Sequence, residues 1–181
     1  MSSLLKQTRA YAAQYGLIVG SMWSASFLMT VYGLSTPLLS DLGLIVGLMS
    51  VYVCIRLMRR FDMSVSRLTA LTSWRLAWGA YGGAAMVCTL VQYVYFAFLD
   101  SGRVVMAYSE LVAMPEGHAM LERLLPGQDV DALVGQALDA FAATPPSQIA
   151  LQLLLLNLIM ATVLALPTAL IAMAGRKKVG S

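Results

Sequence analysis

Charge is scarce in this sequence. Of its 181 residues only 12% are Asp, Glu, Lys or Arg, 59% are hydrophobic, and the mean hydropathy is +0.75. A soluble domain carries roughly 25% charged and about 45–50% apolar residues. A domain of about 150 residues still exposes about 30% of its unfolded-chain surface, so it cannot hide this much apolar matter in its own core. That argues against both a soluble globular enzyme and a disordered chain. Histidine occurs once, as His118 beside Glu116 and Glu122, so HExxH and Ser/His/Asp constellations have no material to form from. One histidine with two acids can hold a metal in principle, but a surface residue pairing with Glu122 four positions on is the simpler reading. Asp129 and Asp131, two apart, point to different helix faces and form no acid/base pair. Cysteine occurs twice, as Cys54 and Cys88, each inside an apolar run and outside any CxxC spacing, which reads as two small hydrophobes. No glycine-rich phosphate loop is present. The expectation is a non-catalytic protein with no metal and no cofactor.

Apolar runs are what the chain has in abundance. A membrane core about 30 Å thick takes roughly 20 apolar helical residues to cross. Four stretches qualify, with expected spans at about 14–34, 38–58, 74–99 and 148–173. Ser35-Thr36-Pro37, Arg59-Arg60-Phe61-Asp62 and the segment from Asp100 to Ser147 separate them. Lys6 and Arg9 ahead of the first run resemble a signal-peptide start, but the run exceeds the usual 7–15 residues, so it reads as an uncleaved span. The fold class expected is an all-α four-helix transmembrane bundle, a single membrane domain over 1–181.

The basic residues set its orientation. Ten of the twelve Lys and Arg flank one side: Lys6 and Arg9, then Arg56, Arg59, Arg60, Arg67 and Arg75, then Arg176, Lys177 and Lys178. Eight of the nine acids lie on the other side. The positive-inside rule then places both termini in the cytoplasm and the segment of about 100–147 outside, in a bacterial inner membrane. Because the cations adjoin apolar spans, the net charge of +3 reads as a topology signal and not as a nucleic-acid patch.

The outer segment has helical structure of its own. Val130, Leu133, Val134, Ala137, Leu138 and Phe141 share one helical stripe, with Asp129 as N-cap and Pro145-Pro146 as the stop. Upstream, Pro115 suits a first helical position, and Leu121, Leu124 and Leu125 face one side before Pro126-Gly127. Two short amphipathic helices are therefore expected as a cap. Its acidity favours packing on protein over lying in the lipid interface. Trp74 and Trp78 at one end of the third run, and Tyr93, Tyr95, Phe96 and Phe98 at the other, suit aromatic belts.

Three features are candidates for function. Gly16/Gly20, Gly43/Gly47 and Gly79/Gly83 are GxxxG pairs, which let helix backbones approach closely in lipid. They serve either packing within the bundle or a seam for a second copy or another membrane protein. Polar residues at membrane depth are few: Ser24 with its neighbours in the first run, Gln92 in the third and Asn157 in the fourth. They are hydrogen-bonding glue between helices or the polar lining of a path. Arg56, Arg59, Arg60, Arg67 and Arg75 gather around one short loop, as topology determinants or as contacts for anionic lipid head groups.

Tyr15-Gly16-Leu17-Ile18-Val19-Gly20, the Arg-rich inner loop, Ser73-Trp74-Arg75-Leu76-Ala77-Trp78-Gly79 and Tyr93-Val94-Tyr95-Phe96-Ala97-Phe98-Leu99-Asp100 occur in that order. With the long helical loop and basic tail, this pattern resembles an uncharacterised bacterial family of four-span membrane proteins, domain of unknown function 4199. The resemblance covers nearly the whole chain and carries no catalytic residues. It implies a gene setting similar to envelope operons that include a polyprenyl-phosphate glycosyltransferase. The leading expectation is an accessory or scaffold subunit in contact with membrane lipids, assembling as a homo-oligomer or with a membrane partner such as that enzyme. A small transporter or lipid-handling protein is the alternative.

Overall fold

The computed structural model describes residues 2–65, 69–127 and 129–174, and every regular element among them is helical. Seven α-helices run in order: α1 Ser2–Tyr32, α2 Pro37–Ser64, α3 Ala70–Val94, α4 Arg103–Ala113, α5 Pro115–Leu124, α6 Val130–Ala142 and α7 Pro146–Ala174. Among the described residues three segments are long and apolar enough to cross a membrane: Pro37–Ser64, Ala70–Leu99 and Pro146–Ala174. α1 is as long, but Ser21, Ser24, Ser26 and Thr30 dilute its apolar stretch.

The breaks follow from local chemistry. Gly33–Ser35 tighten into a 3-10 turn, and Thr36 is extended at φ −144°, as the residue before a proline must be, so Pro37 opens α2 at its first position. A Cβ on Gly33 would run into the backbone of Leu39 and Ser40, so this corner needs glycine. Thr69 caps α3 by accepting from the Thr72 amide. Past Val94, α3 widens into a π-helical turn over Tyr95–Leu99, closed by Asp100 N–H donating to the Tyr95 carbonyl at 3.0 Å.

Packing makes α1 and α3 the central pair. α1 lies along α3 over the greatest length, α3 along α7, and α1 along α2, whereas α2 touches α7 less and α3 least. Two apolar cores result. The larger joins Tyr15, Val19, Met58, Phe61, Leu76 and Tyr81 to the alanines of α3 and α7. The smaller surrounds Val31, Tyr95 and Val104, with Phe27, Phe96 and Phe141 packed on it.

Three helices, not two, fill the segment from Asp100 to Ser147. The addition is α4, whose start depends on the Asp100 carboxylate. That group accepts from the Gly102 amide at 3.2 Å, the Val104 amide at 3.1 Å and the Tyr95 hydroxyl at 3.1 Å. Ser101 at φ 45° and Gly102 at φ 79° make the left-handed corner before it. α6 begins as expected, with Asp129 accepting from the Ala132 amide at 3.1 Å. The aromatic end of α3 is also corrected: Tyr93 and Phe98 are exposed, but Tyr95 is 1% exposed and turns into the smaller core with Phe96, so neither of those two is a belt residue. Arg67, Arg176, Lys177 and Lys178 lie outside the described residues.

Candidate functional site

The glycine pairs are spent inside the chain. A Cβ on Gly16 would sit 3.1 Å from the Gly83 Cα and the Ala80 carbonyl oxygen. One on Gly20 would sit 3.0 Å from the Ala84 Cα. Gly79 faces Ala12, and Gly43 and Gly47 face Ser26 and Thr30. The pairs thus bring α1 against α3 on one side and against α2 on the other. Small residues at these positions let the helix backbones approach closely enough to pack.

Several polar residues on these helices find partners across the seams. Trp23 Nε1 donates to Ser50 Oγ at 2.9 Å, and Ser50 Oγ donates to the Gly47 carbonyl at 2.6 Å. Ser26 Oγ donates to the Gly43 carbonyl at 2.6 Å. Tyr81 Oη and Thr168 Oγ1 are 2.9 Å apart, both fully buried, and the Trp23 indole stacks on the Tyr81 ring at 5.9 Å. Sequence reasoning missed Trp23, Ser50, Tyr81 and Thr168. Each looks ordinary in an apolar run, and only the helix pairing puts them together. Ser73 Oγ is fully buried without a hydrogen-bond partner among the described residues.

Between the two cores the four long helices leave a cavity of about 390 Å³. Its walls are Trp23, Ser26 and Phe27 from α1, Leu44, Gly47, Leu48 and Val51 from α2, Cys88 and Gln92 from α3, and Asn157, Met160 and Leu164 from α7. The space exists for a packing reason. α2 and α7 are tied at one end, where the Arg59 guanidinium donates to the Ile171 carbonyl at 3.2 Å, in the last turn of α7. Further along, Gly47, Ser26 and Cys88 are too small to fill the gap. Asn157 Nδ2 donates to Gln92 Oε1 at 3.0 Å and lies 3.4 Å from Thr89 Oγ1. That leaves the Gln92 NH2 group and the Asn157 carbonyl oxygen outside the shared bond. The volume falls within the range of small-molecule sites, about 300–1,000 Å³, and the lining has their usual character, apolar with a few polar groups.

The other residues singled out from sequence distribute differently. Gln92 and Asn157 come together, but Ser24 does not join them. It is buried and donates to the Gly20 carbonyl at 2.8 Å, and Ser26 lines the cavity in its place. The arginines form no single cluster among the described residues. Arg56 and Arg60 are exposed on α2, Arg59 reaches α7, and Arg75 faces α1, where it lines a groove with Arg9. His118 lies 3.1 Å from Asp131 and 3.6 Å from Glu122, all partly or well exposed, and joins α5 to α6. Among the described residues no three His, Cys, Asp or Glu side chains gather as a metal site.

One family model, described as protein of unknown function (DUF4199), matches residues 14–174. No curated protein and no solved structure matches the chain.

Proposed function

The chain belongs to the DUF4199 family, and on that premise we propose that it is a membrane protein that handles an amphipathic lipid or similar small molecule. In this reading α1 is a fourth span, and the whole chain is one domain of the bacterial inner membrane. Both termini are cytoplasmic, and α4, α5 and α6 cap the outer face. The protein performs no covalent chemistry. It holds an apolar chain in the interhelical cavity, where Gln92 and Asn157 engage one polar group. The observation that carries the reading is this amide pair bordering a cavity of about 390 Å³. Pure glue would bury both amides in packed protein. Here Gln92 is buried and Asn157 half-buried, yet both stand on the cavity wall, and a polar group at membrane depth is costly enough to call for a use.

The test is extraction from native membranes into lipid nanodiscs, followed by native mass spectrometry. The expected result is a stoichiometric small molecule on the wild type that is lost from Gln92→Leu/Asn157→Leu with the assembly intact. Retention of the same molecule by the double variant, or a wild type carrying none, overturns the reading.

A second reading, the accessory or scaffold subunit, is favoured by one separate observation. Met106, Tyr108, Leu111, Met114, Met120 and Leu124 on α4, α5 and the joint between them are all exposed. Uncovered apolar surface of this kind marks interaction sites. The partner would be a second copy or a membrane enzyme such as a glycosyltransferase. The glycine pairs do not supply that interface, because they are occupied within the chain. A defined oligomer or a co-purifying enzyme in the same spectra supports this reading, and a bare monomer removes it.

A further inference from the structure

A second large groove shares no lining residue with the cavity just described and is built on the first halves of α1 and α3. It encloses about 610 Å³. Its cationic residues are Arg9 from α1 and Arg75 from α3, and no acid is among the described residues that line it. Trp74 and Trp78 form one wall, their rings stacked at 6.5 Å and about half exposed. The floor is Gly79 and Gly83, which carry no side chain to fill the space.

We infer that this groove binds the head group of an anionic phospholipid, with the phosphate between Arg9 and Arg75 and the upper acyl chain over the glycine floor between Trp78 and α1. Charge, shape and place point to this ligand together. Guanidinium forks match phosphate oxygens and are weakly hydrated, so they give up water for a phosphate more readily than lysine does. Indole rings favour the boundary between head groups and hydrocarbon, so Trp74 and Trp78 mark that depth. Gly79 packs on Ala12, where an added Cβ would sit 2.9 Å from the Ala12 Cβ, so the groove floor at this point is bare backbone. The two cations come from different helices, whose backbones are brought together by the close Gly16–Gly83 contact. Arg56 and Arg60, exposed on α2, do not line this groove.

The inference relies on the chain being embedded in a membrane and not on the occupancy of the central cavity. The test uses full-length protein in phosphatidylcholine nanodiscs containing a minority of brominated phosphatidylglycerol or of brominated phosphatidylcholine. Bromine quenches nearby indoles. Quenching by brominated phosphatidylglycerol is expected to exceed that by brominated phosphatidylcholine. Removing each arginine is expected to weaken the preference about fivefold. Arg9→Gln/Arg75→Gln therefore abolishes it, Arg9→Lys/Arg75→Lys retains only part of it because the charge stays and the fork is lost, and Arg56→Gln leaves it unchanged. Equal quenching by the two lipids overturns the proposal, as does an equal loss in Arg56→Gln. Suppression of the preference by inorganic phosphate alone would identify a soluble anion as the ligand and also overturn it. Gln92→Leu/Asn157→Leu keeps the preference whether or not the cavity reading survives, so the two failures are distinguishable.

Discussion

Alanine at Gly20 and at Gly82 should move stability in opposite directions. In a helix, Gly→Ala gains about 0.5–1 kcal/mol by removing backbone freedom from the unfolded chain. At Gly82 nothing lies within 4 Å of the added Cβ, so that gain stands alone. At Gly20 the Cβ meets the Val87 Cβ at 2.8 Å, the Ala84 Cα at 3.0 Å and the Ala84 carbonyl oxygen at 3.1 Å. These atoms belong to the α3 backbone or are fixed to it, and no flexible side chain can yield. α1 would have to retreat from α3 by about half an ångström along a seam that also holds Gly16 against Gly83. Overpacking of this kind costs about 1–3 kcal/mol. After the helix gain, Gly20→Ala should destabilise by up to about 2.5 kcal/mol and Gly82→Ala should stabilise by about 0.5–1 kcal/mol. Each kcal/mol shifts the melting midpoint of a protein this size by about 2–4 °C. Thermal unfolding of the two variants in one detergent, followed by tryptophan fluorescence, reads the difference directly. If Gly20→Ala melts at or above Gly82→Ala, the α1–α3 seam is not packed as described.

The remaining predictions concern single polar groups. Ser73→Ala should raise the midpoint, because a buried hydroxyl without a partner costs about 1–3 kcal/mol and alanine removes it; a lowered midpoint in the same thermal assay counts against this. Tyr81→Phe takes away the bond to Thr168 and strands that hydroxyl. Interhelical bonds in membranes average about 0.6 kcal/mol, so a loss of about 1 kcal/mol is expected in reversible unfolding in mixed micelles. Asp100→Ala removes the acceptor for two amides at the start of α4 and for Tyr95. Loss of a cap costs about 1 kcal/mol; faster amide exchange over 103–113, with α1 to α3 unchanged, is the expected readout.

Much of the architecture was legible without coordinates. Helix ends were readable because proline and capping residues act locally, as at Pro37, Pro115 and Asp129. The π-helical turn and α4 were not, since both converge on Asp100, whose amide closes the turn on the Tyr95 carbonyl and whose carboxylate accepts from the Tyr95 hydroxyl and two amides at a left-handed corner. The site was half legible. Gln92 and Asn157 stand out because amides are costly at membrane depth. Ser24 stood out for the same reason, yet its hydroxyl bonds back to its own helix. The arginines looked like one cluster because they are close in sequence.

The sequence by itself therefore determined that this protein is helical and apolar enough for a membrane, because composition and periodicity act residue by residue through burial and backbone hydrogen bonding. Only the tertiary structure decided which faces meet. Contact between helices depends on small differences in side-chain bulk at positions far apart in the chain, such as Gly16 against Gly83 and Gly43 against Ser26. From that pairing follow the cavity at Gln92 and Asn157, the Trp23–Ser50 and Tyr81–Thr168 bonds, and the groove that sets Arg9 beside Arg75.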